Sequence, residues 1–297
     1  DQTIVDGVQV KKPDIWLKDL DIWEYRKTSK AVFVQFGPPL GTIKAVPCDI
    51  PIIGFGSQTV NTLRLWSAEV RDEFSINYSS LPSDGCHKLL EYKNWVEAIS
   101  QILYPDDRYE KGHRLRLVQE YFLASAGLQS IIRHIKCKQG SNLTLLADQI
   151  AIHINDTHPA LVIPELMRIL MDEEGMGWDD AWQITTRTIS YTNHVILPEA
   201  LEKWTVVQFQ SLLPRIYEIV HEINERFCAE LWQRYPGDWN KIGAMAVIAD
   251  GFINMVHLAV VGSYSVNGVA ELHSHILEND LLKLFYQFTP HKFNNVS

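Results

Sequence analysis

Gln149-Ile150-Ala151-Ile152-His153-Ile154-Asn155-Asp156-Thr157-His158-Pro159 is the stretch that decides the fold. Its β-branched run up to Asn155 reads as a short buried strand, and Asp156 to Pro159 as the turn where that strand leaves its sheet. Ile163-Pro164-Glu165-Leu166-Met167-Arg168-Ile169-Leu170-Met171 then has helical spacing. Pro164 falls near its first turn, where a missing N–H costs little, and Gly175 and Gly177 stop it. Asp179 is the expected N-cap of a helix from Asp180 to about Thr188. Ile189-Ser190-Tyr191-Thr192-Asn193-His194 is a second short strand with a polar end. This β-α-α-β order predicts a parallel sheet covered by helices.

Upstream, the chain to about Leu65 alternates apolar and polar residues between Pro and Gly, as in Ala31-Val32-Phe33-Val34-Gln35-Phe36-Gly37. Val60 to Glu69 continues that strand pattern, and helical patterns run from about Leu89 to Ile102 and from Gly112 to Ile135. Downstream of Val206, the residues Ile216, Ile219, Val220, Ile223, Phe227 and Leu231 form an amphipathic stripe closed by Pro236-Gly237. No internal repeat, low-complexity tract or Gly-rich linker divides the chain. One α/β domain is expected, with an antiparallel-leaning β region at its N-terminal end.

A chain of 297 residues, 46% of them apolar, is long enough to bury a large core. Its formal charge of −9 argues against nucleic acid or an anionic membrane as partner and favours a neutral, polyhydroxyl ligand. Cys48, Cys86, Cys137 and Cys228 form no C-x-x-C pair, as expected of a reducing compartment. Met255 to Gly262, the longest apolar stretch, is too short to cross a bilayer, and Asp1-Gln2-Thr3 lacks a basic n-region. The expected location is the cytoplasm, with no membrane partner.

Ligands of open α/β sheets bind beyond the carboxyl ends of the strands. Here those positions carry Asn155, Asp156 and His158, and then Thr192, Asn193 and His194. Such residues also make ordinary turns, so a functional pocket and plain turn chemistry both remain open. Asp156, His158 and His194 form an incomplete metal-ligand pattern without helical spacing, and His273-Ser274-His275 a weaker one. The polar loop Tyr104-Pro105-Asp106-Asp107-Arg108-Tyr109-Glu110-Lys111-Gly112 reads as a gate or as solvated surface. G-x-S-x-G, P-loop and G-x-G-x-x-G motifs do not occur.

The blocks from Ile152 to Ala160 and from Pro164 to Arg168, with Tyr191-Thr192-Asn193-His194-Val195-Ile196-Leu197-Pro198-Glu199-Ala200-Leu201-Glu202-Lys203-Trp204, closely resemble the glycogen, starch and maltodextrin phosphorylase family. So do Val60 to Ala68 and Val261 to Ala270, and the resemblance runs from Asp6 to Phe293. It implies a Rossmann-like N-terminal half of a two-domain glycosyltransferase, with residues 1–297 as a partial glucan-binding domain. The C-terminal domain, which would bind pyridoxal 5′-phosphate, lies outside this span. The reaction implied is phosphorolysis of an α-1,4-glucan by phosphate, with release of glucose 1-phosphate.

Carried over, His194 matches the histidine whose carbonyl holds a sugar hydroxyl, and Asp156 and His158 match a polar pair lining the pocket. Asn193 and Asp107 complete the expected substrate-binding set. Asp106, Asp107, Arg108 and Tyr109 match a mobile gate, with Arg108 where many members carry Asn and Tyr109 where animal members carry Phe. The segment from Leu89 to Ile102 resembles a subunit-contact helix, so a homodimer is expected of the whole enzyme. Catalytic, cofactor-binding and metal residues are not expected within the span, which is expected to be inactive alone. The alternatives are a non-catalytic glucan-binding or dimerisation module, and a metal-dependent hydrolase built on Asp156, His158 and His194.

Overall fold

A computed structural model describes residues 2–5, 8–11, 26–71, 83–102, 105–106, 108–140 and 142–296. Strands β1 (Gln2–Val5) and β2 (Val8–Lys11) pair antiparallel. Strands β3 (Val32–Gln35), β4 (Thr42–Ile53) and β5 (Val60–Glu69) form an antiparallel meander, with Val34 opposite Ile43 and Ala45 opposite Ala68. Val32 and Val34 are buried while Phe33 between them is exposed, as a strand with one covered face requires.

Helices α1 (Ser83–Gln101) and α2 (Glu110–Gln139) follow, each starting earlier than periodicity alone predicts. α1 lies on β5, where the Ala68 N–H donates to Ser100 Oγ at 3.1 Å. α2 lies on β3, with Gln129 donating to the Phe33 carbonyl at 2.9 Å and Arg133 to the Ala31 carbonyl at 3.1 Å. A single turn, α3 (Leu146–Gln149), leads into the strand quoted at the outset.

That strand is β6 (Ile152–Asn155), followed by α4 (Val162–Arg168) and a π-helical turn Ile169–Glu173. Gly175, at φ +71°, ends the helix. Helix α5 (Trp178–Thr188) begins earlier than expected, and Asp179 is not its cap. Gly177 holds the N-cap position in an extended conformation without a side-chain bond, which leaves Asp179 in the first turn, favourable for the helix dipole. β7 (Ile189–Asn193) then pairs parallel with β6, Ile154 lying opposite Tyr191.

β8 (Lys203–Thr205) leads to α6 (Val206–Leu212), capped by Thr205, whose side chain accepts from the Gln208 N–H. The amphipathic stripe expected from Val206 is two helices, because Pro214 cannot donate and starts a new one, α7 (Pro214–Arg234). α8 (Trp239–Met245), β9 (Ile248–Ala249), β10 (Phe252–Asn254), α9 (Met255–Gly262), β11 (Ser265–Gly268), α10 (Glu271–Ile276) and α11 (Lys283–Phe288) complete the chain. β8, β10 and β9 form a small antiparallel sheet. β11 joins β7 in parallel, giving the order β11-β7-β6.

One face of the parallel sheet carries Ile154, Tyr191 and Val266, all buried, with α9 packed on β7 and against α4. A Cβ at Gly262 would come within 2.6 Å of the Ile163 side chain, so the approach of α9 to α4 requires glycine. α2 and α4 are joined by a buried polar clasp. Glu165 is 0% exposed and accepts from Tyr121 OH at 2.8 Å, Ser125 Oγ at 2.6 Å and Arg168 Nε and Nη2 at 2.8 and 2.9 Å. No helix among the described residues is long and apolar enough to cross a membrane.

Candidate functional site

The site begins where β6 stops. The Asp156 N–H still donates to the Thr192 carbonyl at 2.9 Å, after which Asp156 adopts φ +66°, a left-handed conformation that Asp tolerates better than most residues. Its Oδ1 accepts from the Thr157 N–H at 2.8 Å. The kink turns Thr157 into the core and leaves His158 exposed at the mouth of a cleft of about 200 Å³. That cleft is also lined by His113 and Arg116 from α2, by Glu202 before β8, and by Trp204 within it.

Five titratable groups meet there. His158 Nδ1 lies 3.3 Å from Glu202 Oε1 and 3.6 Å from Glu120 Oε1, and His158 Nε2 lies 3.5 Å from Asp156 Oδ2. Arg116 Nη2 is 3.2 Å from the same Nδ1, while Arg116 Nε is 3.3 Å from Glu120 Oε1 and 3.8 Å from Glu202 Oε1. The guanidinium contact suits a neutral ring, but hydrogen bonds to Glu120 and Glu202 outweigh it and push the His158 imidazole up to about 10. Burial pushes the Glu120 carboxyl up to about 8, against the pull of His158. Burial works on Glu202 too, yet its bonds to His158 and Glu120 outweigh that and hold it below the usual carboxylate value. At neutral pH the wall therefore holds a protonated Glu120, an ionised Glu202 and an imidazolium.

Glu120 Oε2, Glu202 Oε2 and Trp204 Nε1 are buried and lack a hydrogen-bond partner among the described residues. Unpaired buried polar atoms are exceptions, and two of the residues that carry them, Glu202 and Trp204, line the cleft. A carboxyl, a carboxylate and an imidazolium together supply both donors and acceptors, a set suited to a polyol.

The carbohydrate phosphorylase family model matches residues 1–297. The chain belongs to that family. It is 49% identical over 311 residues to the glycogen phosphorylase of Bacillus subtilis, covering 99% of this chain and 38% of that protein. Against the brain form of glycogen phosphorylase from Bos taurus it is 42% identical over 316 residues, with 99% and 37% covered. The muscle form from Homo sapiens is 41% identical over 316 residues, again with 99% and 37% covered. The chain thus spans about two fifths of the length of these curated relatives.

In this carbohydrate phosphorylase chain the sites expected from the sequence separate. Asp156 and His158 stand together in the cleft. His194 is exposed beside it, its Nε2 held 2.7 Å from Asn155 Oδ1. Asn193 is 0% exposed and its amide is used internally, donating to Tyr191 OH at 2.8 Å and accepting from the Val195 N–H at 3.0 Å. His273 Nε2 lies 3.0 Å from Asn193 Oδ1, so His273 braces the strand end, while His275 points elsewhere, 3.8 Å from Glu278. In the loop expected to act as a gate, Arg108 clasps Asp106 at 2.9 and 2.7 Å and holds its carboxyl below the usual value. Tyr109 is exposed at the start of α2, and Asp107 lies outside the described residues.

Asp156, His158 and His194 are not gathered as a metal site would need. The carboxylate and imidazole atoms that do meet, within 4.8 Å of one another, belong to Glu120, His158 and Glu202. Arg116 already supplies a positive charge between those two carboxylates, which disfavours a second cation. Glu120, Glu202, Arg116 and His113 were not singled out in the sequence. His113, Arg116 and Glu120 sit at i, i+3 and i+7 of α2, a polar stripe on a largely buried helix, and that stripe was the available signal.

Proposed function

We propose that this span forms the sugar-holding wall of an α-1,4-glucan phosphorylase acting on glycogen or maltodextrin. The observation that carries the reading is the His158 imidazolium at a cleft mouth, held by one oxygen each of Glu120 and Glu202 while the other oxygen of each carboxyl is left without a partner among the described residues. In phosphorolysis a phosphate oxygen bonds to the anomeric carbon, the glycosidic C–O bond breaks, and the leaving oxygen takes a proton. This chain's part is to bind and orient. His158 and the protonated Glu120 donate to sugar hydroxyls, Glu202 and Asp156 accept, and the carboxylates favour positive charge developing on the sugar. His194 contributes its backbone carbonyl, and Asn193 keeps that segment fixed from beneath. Asp106 and Asp107 gate the cleft, and the Arg108 clasp biases the gate.

The family implies pyridoxal 5′-phosphate for the whole enzyme. Among the described residues the half-buried Lys292 does not fit it: its ammonium goes to the Val260 and Val261 carbonyls, at 3.2 and 3.0 Å, closing α9 rather than offering an amine. We infer that the cofactor is held outside residues 1–297, that the parallel sheet belongs to a Rossmann-like half, and that the span alone is inactive. A homodimer joined through α1 and a cytoplasmic location complete the reading. The test is release of glucose 1-phosphate from maltodextrin and phosphate. The natural polypeptide carrying this span releases it and residues 1–297 alone do not; release by the span alone, or none by the natural polypeptide, refutes the reading.

A further inference from the structure

We propose that His273 is a positioning residue for the sugar: through the Asn193 amide it fixes the peptide that joins His194 to Val195, whose carbonyl the phosphorylase reading gives to a sugar hydroxyl. The proposal rests on that reading. His273 and Asn193 are 80 positions apart in the chain and meet because β11 runs beside β7, with Gly268 opposite Asn193. Both side chains are covered, and His273 Nε2 lies 3.0 Å from Asn193 Oδ1. That same oxygen accepts the Val195 N–H at 3.0 Å. A peptide is planar and trans, so a bond at the Val195 N–H aims the His194 carbonyl the opposite way, away from the buried amide.

Hydrogen-bond chemistry fixes the direction of each contact. A backbone N–H can only donate, so the Val195 bond decides which end of the Asn193 amide is oxygen, and its nitrogen then donates to Tyr191 OH at 2.8 Å. An amide oxygen can only accept, which requires a proton on Nε2 of His273. Burial, and after it the charge of His194, hold the His273 imidazole below the usual histidine value. At neutral pH the contact is therefore made by the uncharged ring in its Nε2–H tautomer. Tyr191 and Val195 belong to the same segment as Asn193, and of these three contacts His273 alone comes from another element.

His273 is itself closely seated. A Cβ at Gly268 would come within 2.8 Å of His273 Cδ2 and 2.7 Å of the Ser274 nitrogen, so the ring reaches the strand end because residue 268 has no side chain. The Gly268 N–H donates to Ser274 Oγ at 3.0 Å, and the Ser274 N–H to the Ala270 carbonyl at 2.9 Å, which pins the start of α10 to the end of β11. On the other side of the segment, His194 Nε2 is 2.7 Å from Asn155 Oδ1. The His194 carbonyl itself accepts no hydrogen bond among the described residues. An acceptor that is held in place and unused costs a ligand little ordering entropy.

The experiment uses the natural polypeptide in the synthetic direction, with glucose 1-phosphate or its singly deoxygenated analogues as donors and maltoheptaose as acceptor. The analogue that lacks the hydroxyl held by His194 is expected to react far more slowly than the parent. His273→Phe fills the space without a donor and reduces that discrimination about tenfold, whereas His273→Gln, which keeps an N–H donor, restores it to within about threefold. General damage to the fold slows the parent and the analogues alike and leaves their ratio unchanged. Undiminished discrimination in His273→Phe overturns the proposal, as does an equal loss in both variants or its absence from the unaltered enzyme. If the variants do not fold, ring ¹⁵N signals of the unaltered protein decide: a neutral His273 protonated at Nε2 supports the contact, and one protonated at Nδ1 overturns it. The Nε2–H tautomer in a polypeptide without any phosphorolysis refutes the phosphorylase reading alone.

Discussion

Two buried carboxyl groups at the α2–α4 side of the molecule have opposite fates. Glu165 accepts four hydrogen bonds, two of them a fork from Arg168, and both its oxygens are satisfied. Glu120, next to Tyr121 of that clasp, is 8% exposed, meets a carboxylate as well as two cations, and keeps one oxygen unpaired. Complete satisfaction makes the first a fastener between helices. Incomplete satisfaction leaves the second holding a proton, with an oxygen that the proposed reading assigns to a ligand hydroxyl.

Breaking the fastener has the largest expected effect. Glu165→Ala leaves the Arg168 guanidinium buried without its partner and is expected to cost about 3–5 kcal/mol, read as a lower denaturant midpoint at unchanged slope. A loss under about 1 kcal/mol would remove the contrast between the two groups.

The second prediction concerns pH. His158 is raised to about 10, so its contribution is fully present below the ordinary histidine value and is lost as pH climbs through about 10. Glu120 keeps its proton in the fold up to about 8, so stability also falls between the ordinary carboxylate range and about 8. Glu202 runs the other way, its contribution being lost in acid. With His158 half exposed, solvent screening limits the net fall from pH 6 to pH 10 to about 1–2 kcal/mol. Glu120→Gln flattens the lower part of that fall and His158→Ala the upper part; melting curves at stepped pH that are identical in all three proteins contradict this assignment.

Smaller still is the backbone at Asp156. Asp156→Ala is expected to lose about 1 kcal/mol and Asp156→Gly to lose none or gain slightly, because only glycine adopts φ +66° freely. Both variants weaken sugar binding, so stability and affinity part company at this residue, as thermal melts beside maltoheptaose titrations can show. At the surface, Arg226 pairs with Glu222 at 2.7 Å and Asp179 at 2.9 Å. Exposed on both sides, it should cost less than about 1 kcal/mol when changed to Ala.

Periodicity in the sequence identified α2 and α7, each of which buries a repeating stripe, and short β-branched or apolar runs identified β6 and β7, the latter buried throughout. These runs placed Asp156 and His158 at a strand end, where the cleft lies. The period of two also held unused information about β7. Tyr191 and Asn193 share the covered face, while Ser190 and Thr192 face His153 at 2.7 Å each, so Asn193 was bound to point into the core. Glu202 was not legible as a site residue, since the small antiparallel sheet brings it to Glu120 from 82 positions away (202 − 120). The start of α5 escaped because a backbone conformation, not a capping side chain, sets it.

The most direct test of the central claim is calorimetric titration of maltoheptaose into the natural polypeptide and its His158→Ala variant at pH 7. Saturable binding weakened at least about tenfold in the variant, with the fold intact, is the predicted result. Equal affinity in the two proteins would contradict the assignment of this wall to the glucan.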